Sequence, residues 1–147
     1  MKNLIKRFFL TILFFFTFSA FAQGNPITDL ADKFVQATDL ARAQIKQDYV
    51  GKEIEVEGVI FNVEDYNFFD EKKDNTEKYY RVTTDVQKTP NNVSYQVVFL
   101  YKDLEKVKDL VRGGKIEKTG KIVKIIDEGL QISIWILDGE LTDYNIS

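Results

Sequence analysis

Residues 49–63, YVGKEIEVEGVIFNV, carry the strand pattern that decides the fold. Three apolar residues fall on one face of a two-residue alternation: Ile54, Val56 and Ile60. Glutamates at positions 53, 55 and 57 fall on the other face. Gly58 interrupts the apolar face, and a glycine inside a strand often marks a bulge or bend where a sheet curls. The stretch therefore predicts a long, bent strand with one face in the core.

A helix is predicted ahead of this strand, because apolar residues recur at spacings of three and four. The apolar positions are Leu30, Phe34, Ala37, Ala41 and Ile45, and the polar positions opposite them are Asp39, Arg42 and Lys46. Asn25 or Thr28 can cap the start of this helix, and Gly51 follows its end. We expect one amphipathic helix of about five turns that covers one end of the β structure.

Four later stretches show the alternation or the dense apolar content of strands. They are Tyr79–Val86, Tyr95–Tyr101, Ile116–Ile126 and Leu130–Leu137. The second of these is apolar on both faces, which is typical of a central strand. A short helix between strands three and four can begin after Asp103 and end at Gly113. Its expected core-facing side chains are Leu104, Val107 and Val111.

The predicted order is helix, three strands, short helix and two strands. This order is typical of a mainly β fold, the five-stranded Greek-key barrel of the OB type. We expect three segments: a signal peptide over 1–22, the N-terminal helix over 23–50 and the barrel over 51–147. No internal repeat or linker divides the barrel segment.

The signal peptide is predicted from a basic start, an apolar run over 8–18 and the small-x-small end Ala20-Phe21-Ala22. The apolar run is short for a spanning helix, so cleavage is favoured over a retained membrane anchor. The chain has no cysteine, which excludes lipoprotein modification and disulfides. We therefore expect a periplasmic or secreted protein with no membrane span after cleavage.

Cleavage would remove three basic residues and no acidic ones, so the formal net charge would change from −3 to −6. An acidic body repels phosphate backbones unless a local basic stripe overrides it. Such a stripe is suggested by four lysines on strand four: Lys115, Lys118, Lys121 and Lys124. Glu117 interrupts them, so the charge pattern disfavours nucleic acid.

A family resemblance rests on glycines and apolar positions across residues 37–138. The matching positions are Ala41, Tyr49-x-Gly51-Lys52, Val56-x-Gly58, Leu110-x-x-Gly113 and Gly120. In these positions the chain resembles the tRNA_anti-like group of OB-fold proteins, and it is most similar to exported bacterial members. The resemblance implies the OB fold and supplies no catalytic residues.

Catalytic, metal and cofactor sites are not expected. The absence of histidine and cysteine removes Ser-His and Cys-His nucleophiles, thiolate chemistry and the usual zinc or haem ligands. Acidic residues between positions 65 and 74 could suggest calcium, but their spacing does not match an EF-hand loop and lysines are interleaved. We expect a solvated loop there, and a protein that is not an enzyme.

A binding surface is predicted on the outer side of strands two and three, where OB barrels bind oligonucleotides and oligosaccharides. Its residues are Tyr79, Arg81, Thr83 and Gln96, together with Tyr66, Phe68 and Phe69 from the long loop expected over 64–78. The loop aromatics are either a binding platform or a lid that plugs the barrel end, and the lid is favoured because isolated exposed phenylalanine is costly. The expected partner is an envelope protein, a peptide or a saccharide, and an oligonucleotide is the disfavoured alternative.

Overall fold

The computed structural model describes residues 25–70 and 75–138, although the side chains of residues 68–70, 75 and 138 lie outside that description. The predicted signal peptide also lies outside the described residues. The elements are α1 (Pro26–Gln36), α2 (Asp39–Tyr49), β1 (Glu53–Asp70), β2 (Asn75–Thr84), β3 (Gln87–Lys88), β4 (Ser94–Tyr101), a short 3-10 helix (Leu104–Lys106), β5 (Lys115–Asp127) and β6 (Ile132–Asp138).

One sheet contains all six strands in the order β2-β1-β5-β6-β4-β3, and β2 also pairs with β4. This additional pairing runs from Tyr80 opposite Tyr101 to Thr83 opposite Val98. Each of β1, β2, β4, β5 and β6 therefore pairs with at least two other strands. The β4–β6 pairing is parallel, whereas the other pairings are antiparallel. The prediction of a mainly β fold with an N-terminal helical segment is confirmed.

The main core lies between the sheet and α1. Four residues of α1 are buried in it: Ile27, Leu30, Ala31 and Phe34. The strands add Ile54, Val56, Ile60, Val82, Tyr95, Val97, Phe99, Tyr101, Ile116, Ile122, Ile125, Ile132, Ile134 and Ile136. The helix thus covers apolar side chains that the sheet alone would leave in water.

The expected single five-turn helix is two helices, which corrects the sequence prediction. Ala37 has extended backbone angles, and the Thr38 side chain accepts a hydrogen bond from the Ala41 N–H, which is the geometry of a new N-cap. No residue of α2 is fully buried; Ala41 is exposed and Ile45 is half-buried. The helix therefore breaks at residue 37, where the Thr38 N-cap begins a second helix although the apolar periodicity continues.

Arg42 was expected to face solvent, but it joins the two helices to the sheet. Its Nε donates to the Phe34 carbonyl at 3.0 Å and one Nη donates to the Val35 carbonyl at 3.2 Å. The other Nη is 2.8 Å from Asp127 Oδ2, at the end of β5. The guanidinium also lies 5.4 Å from the centre of the Phe34 ring. Arg42 thus satisfies carbonyls that the end of α1 leaves without helical partners.

The stretch expected as a long loop over 64–78 is instead strand as far as it is described. Asn62 to Asp70 of β1 pair with Asn75 to Thr83 of β2, and we call this paired extension the arm. Residues 71–74 lie outside the described residues. The strand pattern of the arm was visible in its alternating charged and aromatic residues. One face of the arm holds Glu64 and Tyr66 from β1, and Tyr79 and Arg81 from β2.

Three further predictions on element ends are wrong. Leu104 and Val111 were expected in the core, but they are 48% and 67% exposed, since only a 3-10 helix of three residues forms and Val107 alone is buried there. Val86 and Leu130 lie outside the strands assigned to them and are 50% and 94% exposed. The other strand predictions overlap the observed strands.

Gly58 marks a close approach rather than the bulge that the sequence suggested. A Cβ at this position would lie 2.6 Å from the Thr84 Cγ2 atom. The register shifts fall elsewhere, between Ile60 and Asn62 in the β1–β2 pairing and between Ile122 and Lys124 in the β5–β6 pairing. The absence of a side chain at Gly58 lets the two strands meet where β2 ends.

The stability of this core is expected to fall at alkaline pH because of Tyr95. Its ring is 2% exposed, its hydroxyl donates to Gln87 Oε1 at 2.9 Å, and burial together with the nearby Glu57 charge raises its pKa above 10.0. The folded state thus favours the neutral phenol, and its contribution is complete below pH 10 and is lost as the pH rises through the raised pKa.

We expect Tyr95→Phe to lose less stability than the parent protein when the pH is raised from about 8 to about 11. The measurement is the free energy of urea unfolding at both pH values. Because both proteins keep the other tyrosines, only Tyr95 contributes to the difference. An equal loss of stability in the two proteins would show that this phenol does not resist ionisation.

Candidate ligand-binding surface

The side of β2, β4, β5 and β6 opposite the main core forms a second surface, which we call the outer face. In β4 the alternation is strict: odd-numbered residues 95–101 lie in the main core, and Gln96, Val98 and Leu100 point to the outer face. The pairings Thr83–Val98, Val98–Trp135 and Trp135–Lys124 then place one row of residues across it. Directly paired residues share a face, so these four side chains are neighbours.

A second apolar cluster lies on the outer face. It consists of Tyr79, Val98, Leu100, Val123, Trp135 and Leu137, with Tyr66 and Ile126 packed at its border. Trp135 is 6% exposed. A sheet with apolar residues buried on both faces is unusual for a strand order of mainly antiparallel pairings. The outer face therefore carries an apolar cluster that is separate from the main core.

Tyr66 brings the arm into contact with this cluster. Its ring centre lies 5.4 Å from that of Trp135 with an interplanar angle of 54°, a tilted arrangement favourable for aromatic pairs. The Arg81 guanidinium lies 4.7 Å from the centre of the Tyr66 ring and 5.9 Å from that of Trp135. Two aromatic rings and one guanidinium thus form a single stack at the base of the arm.

The cations on this surface differ in whether an acidic side chain pairs with them. Arg81 donates from Nε to Glu64 Oε1 at 2.8 Å and also from an Nη to the same oxygen. Lys102 forms an ion pair with Glu77 at 2.9 Å. Lys124 lies 5.7 Å from the centre of the Trp135 ring, and no acidic group is within ion-pair distance of it among the side chains that the structure describes. Acids therefore accompany most of the positive charge, which leaves the surface aromatic and close to neutral.

A polar row continues the outer face beside Trp135. Ser133 Oγ donates to Glu128 Oε1 at 2.6 Å, and Gln131 Nε2 donates to Glu128 Oε2 at 3.0 Å. Gln131 also reaches Gln96 Oε1 at 3.3 Å, while Gln96 Nε2 donates to the Thr84 carbonyl at 2.7 Å. These amides and carboxylate oxygens retain lone pairs or N–H groups for further hydrogen bonds.

Four of the residues predicted for the site, Tyr66, Arg81, Thr83 and Gln96, lie together on this surface and are each partly exposed. Tyr79 also lies on the outer face, but its ring is 1% exposed and its hydroxyl donates to Glu77 at 3.0 Å. The surrounding apolar cluster therefore encloses the ring. Phe68 and Phe69 belong to β1, and their side chains lie outside the described residues.

Sequence reasoning missed Trp135, Lys124 and Glu64. The alternation of β6 already separated Trp135 from Ile134 and Ile136, and it grouped Trp135 with Gln131 and Ser133. That grouping was a usable signal, because a tryptophan among polar neighbours is not a typical core position. Lys124 was assigned to a basic cluster, whereas the register shift before it turns it toward Trp135.

Other site types have little support in the described part of the chain. Residues 25–70 and 75–138 hold no group of three acidic side chains arranged for a metal ion. No helix in those residues has the length and apolar content to cross a bilayer. A groove of about 680 Å³ runs between α2 and β5, lined by Lys46, Gln47, Val50, Val123, Lys124, Ile125, Ile126 and Asp127. Lys124 thus lines this groove and borders the aromatic stack.

Comparison with known proteins gives a likeness of fold. No protein-family model matches the chain, and no curated protein matches it. One similar solved structure is a lipoprotein from Klebsiella pneumoniae subsp. pneumoniae whose name ascribes nucleic-acid binding to it. It has a TM-score of 0.50 and 18% sequence identity, covering 74% of this chain and 83% of the lipoprotein. At that identity the two proteins share an overall chain path, and the resemblance to the tRNA_anti-like group has no matching family model.

Proposed function

We propose that the protein is an exported OB-fold binding module that holds its ligand on the outer face. Five strands pair in the cycle β1-β2-β4-β6-β5, with the parallel contact between β4 and β6. A small barrel closes when the strands at the two ends of a series pair with each other, and here those strands are β2 and β4. The printed name of the Klebsiella lipoprotein, which is similar in fold, ascribes binding to that protein and supports a binding role here.

The observation that carries the proposal is the aromatic stack of Tyr66 and Trp135 between Arg81 and Lys124. Tyr66 is the partly exposed member of the stack, and Trp135 is buried at 6% exposure. A partly exposed aromatic side chain beside polar groups is typical of a binding surface. Catalysis would need a placed acid, base or nucleophile, and the chain has no histidine or cysteine to supply the common ones. We therefore propose binding without turnover.

A peptide or saccharide fits this surface better than an oligonucleotide. A single-stranded nucleic acid needs positive charge along a whole backbone as well as stacking platforms. Here Glu64 is bonded to Arg81 and Glu128 lies in the polar row. The oligonucleotide stays the second candidate, favoured by the printed name of the Klebsiella lipoprotein and by the aromatic stack itself.

The single tryptophan of the chain makes the site its own reporter. The experiment titrates the protein, from which residues 1–22 have been removed, with a single-stranded oligonucleotide, a neutral oligosaccharide, an acidic oligosaccharide and an unstructured peptide. We expect Trp135 emission to change with a saccharide or the peptide. Tyr66→Ala should weaken that binding at least about tenfold, as for an aromatic residue at the centre of an interface.

Phe61→Ala is the matched control, because Phe61 also stacks on a guanidinium, that of Arg112 at 4.7 Å, but is not part of the outer-face cluster. Binding that is unchanged in Tyr66→Ala and lost in Phe61→Ala would place the ligand elsewhere. Cleavage of a bound probe would contradict a non-enzymatic role. Tightest binding to the oligonucleotide, with strong salt dependence, would favour the second candidate.

A further inference from the structure

We propose that Lys124 and the indole N–H of Trp135 together bind a carboxylate of an acidic oligosaccharide, whose chain continues into the groove between α2 and β5. This inference rests on the proposed function and adds the chemical class of the ligand. Lys124 and Trp135 are directly paired across β5 and β6, and the Lys124 ammonium lies 5.7 Å from the centre of the indole ring.

The first observation is the indole nitrogen. Trp135 Nε1 is fully buried and has no hydrogen-bond partner among the described residues. A buried donor without an acceptor is unfavourable, so the free protein has an unsatisfied N–H at this position. A carboxylate oxygen would satisfy the donor with a charge-assisted hydrogen bond. The nitrogen is enclosed, so entry requires a neighbour to move, and the partly exposed Tyr66 ring is the neighbour in contact with the indole.

The second observation is the charge of the groove. Lys124 and Lys46 both line it, and neither has an acidic partner within 4.0 Å in the described residues. The groove has one acidic residue, Asp127, and that carboxylate is bonded to Arg42 at 2.8 Å. The groove therefore presents two uncompensated positive charges to an anionic ligand.

The third observation separates a saccharide from a nucleic acid. The partly exposed Gln96 and Gln131 offer amide groups, which pair with sugar hydroxyls. The groove floor is apolar at Val50, Val123 and Ile126, where the C–H faces of sugar rings can pack. A single-stranded nucleic acid would instead need aromatic faces open to its bases, and Trp135 is 6% exposed.

The test is calorimetry with hexagalacturonate and with its fully methyl-esterified form, which has the same sugar chain with each carboxylate replaced by a neutral methyl ester. We expect the acid to bind about 10- to 100-fold more tightly than the ester, as for one or two charge-assisted hydrogen bonds. Lys124→Gln should remove most of this preference. Lys118→Gln is the matched control, because Lys118 is an exposed lysine of the same strand outside the groove.

The indole N–H gives a second readout that does not depend on a variant of the buried Trp135. The chain has one tryptophan, so its ¹H–¹⁵N spectrum contains one indole cross-peak. We expect the acid, and not the ester, to shift that peak. Equal binding of acid and ester would overturn the carboxylate site and leave the binding module intact. Binding of the oligonucleotide alone would overturn the saccharide class, and binding of no probe would overturn this inference.

Discussion

Phe34→Ala is expected to lower the free energy of unfolding by about 3–5 kcal/mol, the range for removal of a fully buried aromatic side chain. The ring is 1% exposed in the main core, and the Arg42 guanidinium and the Lys46 ammonium lie 5.4 and 5.7 Å from its centre. Its removal would leave a cavity between α1 and the sheet and would withdraw the surface on which Arg42 packs. Urea unfolding of the parent and variant proteins measures the effect.

Val35→Ala is the control, since Val35 is the next residue of the same helix and is 41% exposed. It should cost less than about 1 kcal/mol, the usual effect of a surface substitution. Similar losses in the two variants would mean that α1 does not close the core. The helix α1 would then be an appendage to the sheet rather than a part of its core.

Gly120→Ala is expected to cost about 2–3 kcal/mol, the upper part of the range for overpacking. A Cβ at this position would lie 2.5 Å from Ile136 Cγ2 and 2.7 Å from the Leu137 carbonyl oxygen. The second contact is with backbone, so no side-chain rotation relieves it. Gly120 pairs with both Ile54 and Asp138, where β5 passes from its pairing with β1 to its pairing with β6. The extra methyl group would therefore separate three strands at once.

Gly129→Ala separates this steric effect from the loss of glycine flexibility. Gly129 has a φ of 84° and no atom within 4 Å of an added Cβ, so its cost is the left-handed backbone, about 1–2 kcal/mol. We expect Gly120→Ala to be the more damaging change in thermal or urea unfolding. The reverse order would show that β5 can move away from β6 at Gly120, and that the close packing inferred there is not required.

The strands could be predicted from the sequence because alternation is a local property. Ile54, Val56 and Ile60 fall in the core as expected, and residues 95–101 alternate between two buried faces. The helix break could not be derived from periodicity, because a Thr38 cap competes with the apolar stripe and depends on where α1 docks. The arm was missed because its charged residues resemble those of a loop until their cross-strand partners are known.

The candidate surface was predicted in part for a similar reason. Arg81, Thr83 and Gln96 follow from strand alternation, so their common face could be derived. The contact of Tyr66 with Trp135 joins residues 69 positions apart and depends on how the arm lies over the outer face. The pairing of Lys124 with Trp135 depends on the register shift between Ile122 and Lys124, which no local pattern specifies.

The binding surface itself is tested most directly by mapping a bound ligand onto the backbone. We would titrate ¹⁵N-labelled protein with the tightest-binding probe and follow every amide together with the indole N–H. We expect the largest chemical-shift changes at Trp135, Lys124, Arg81 and Tyr66, with little change at Phe61 or Arg112. Shifts that spare the indole and gather around the exposed Leu130 turn would contradict the account.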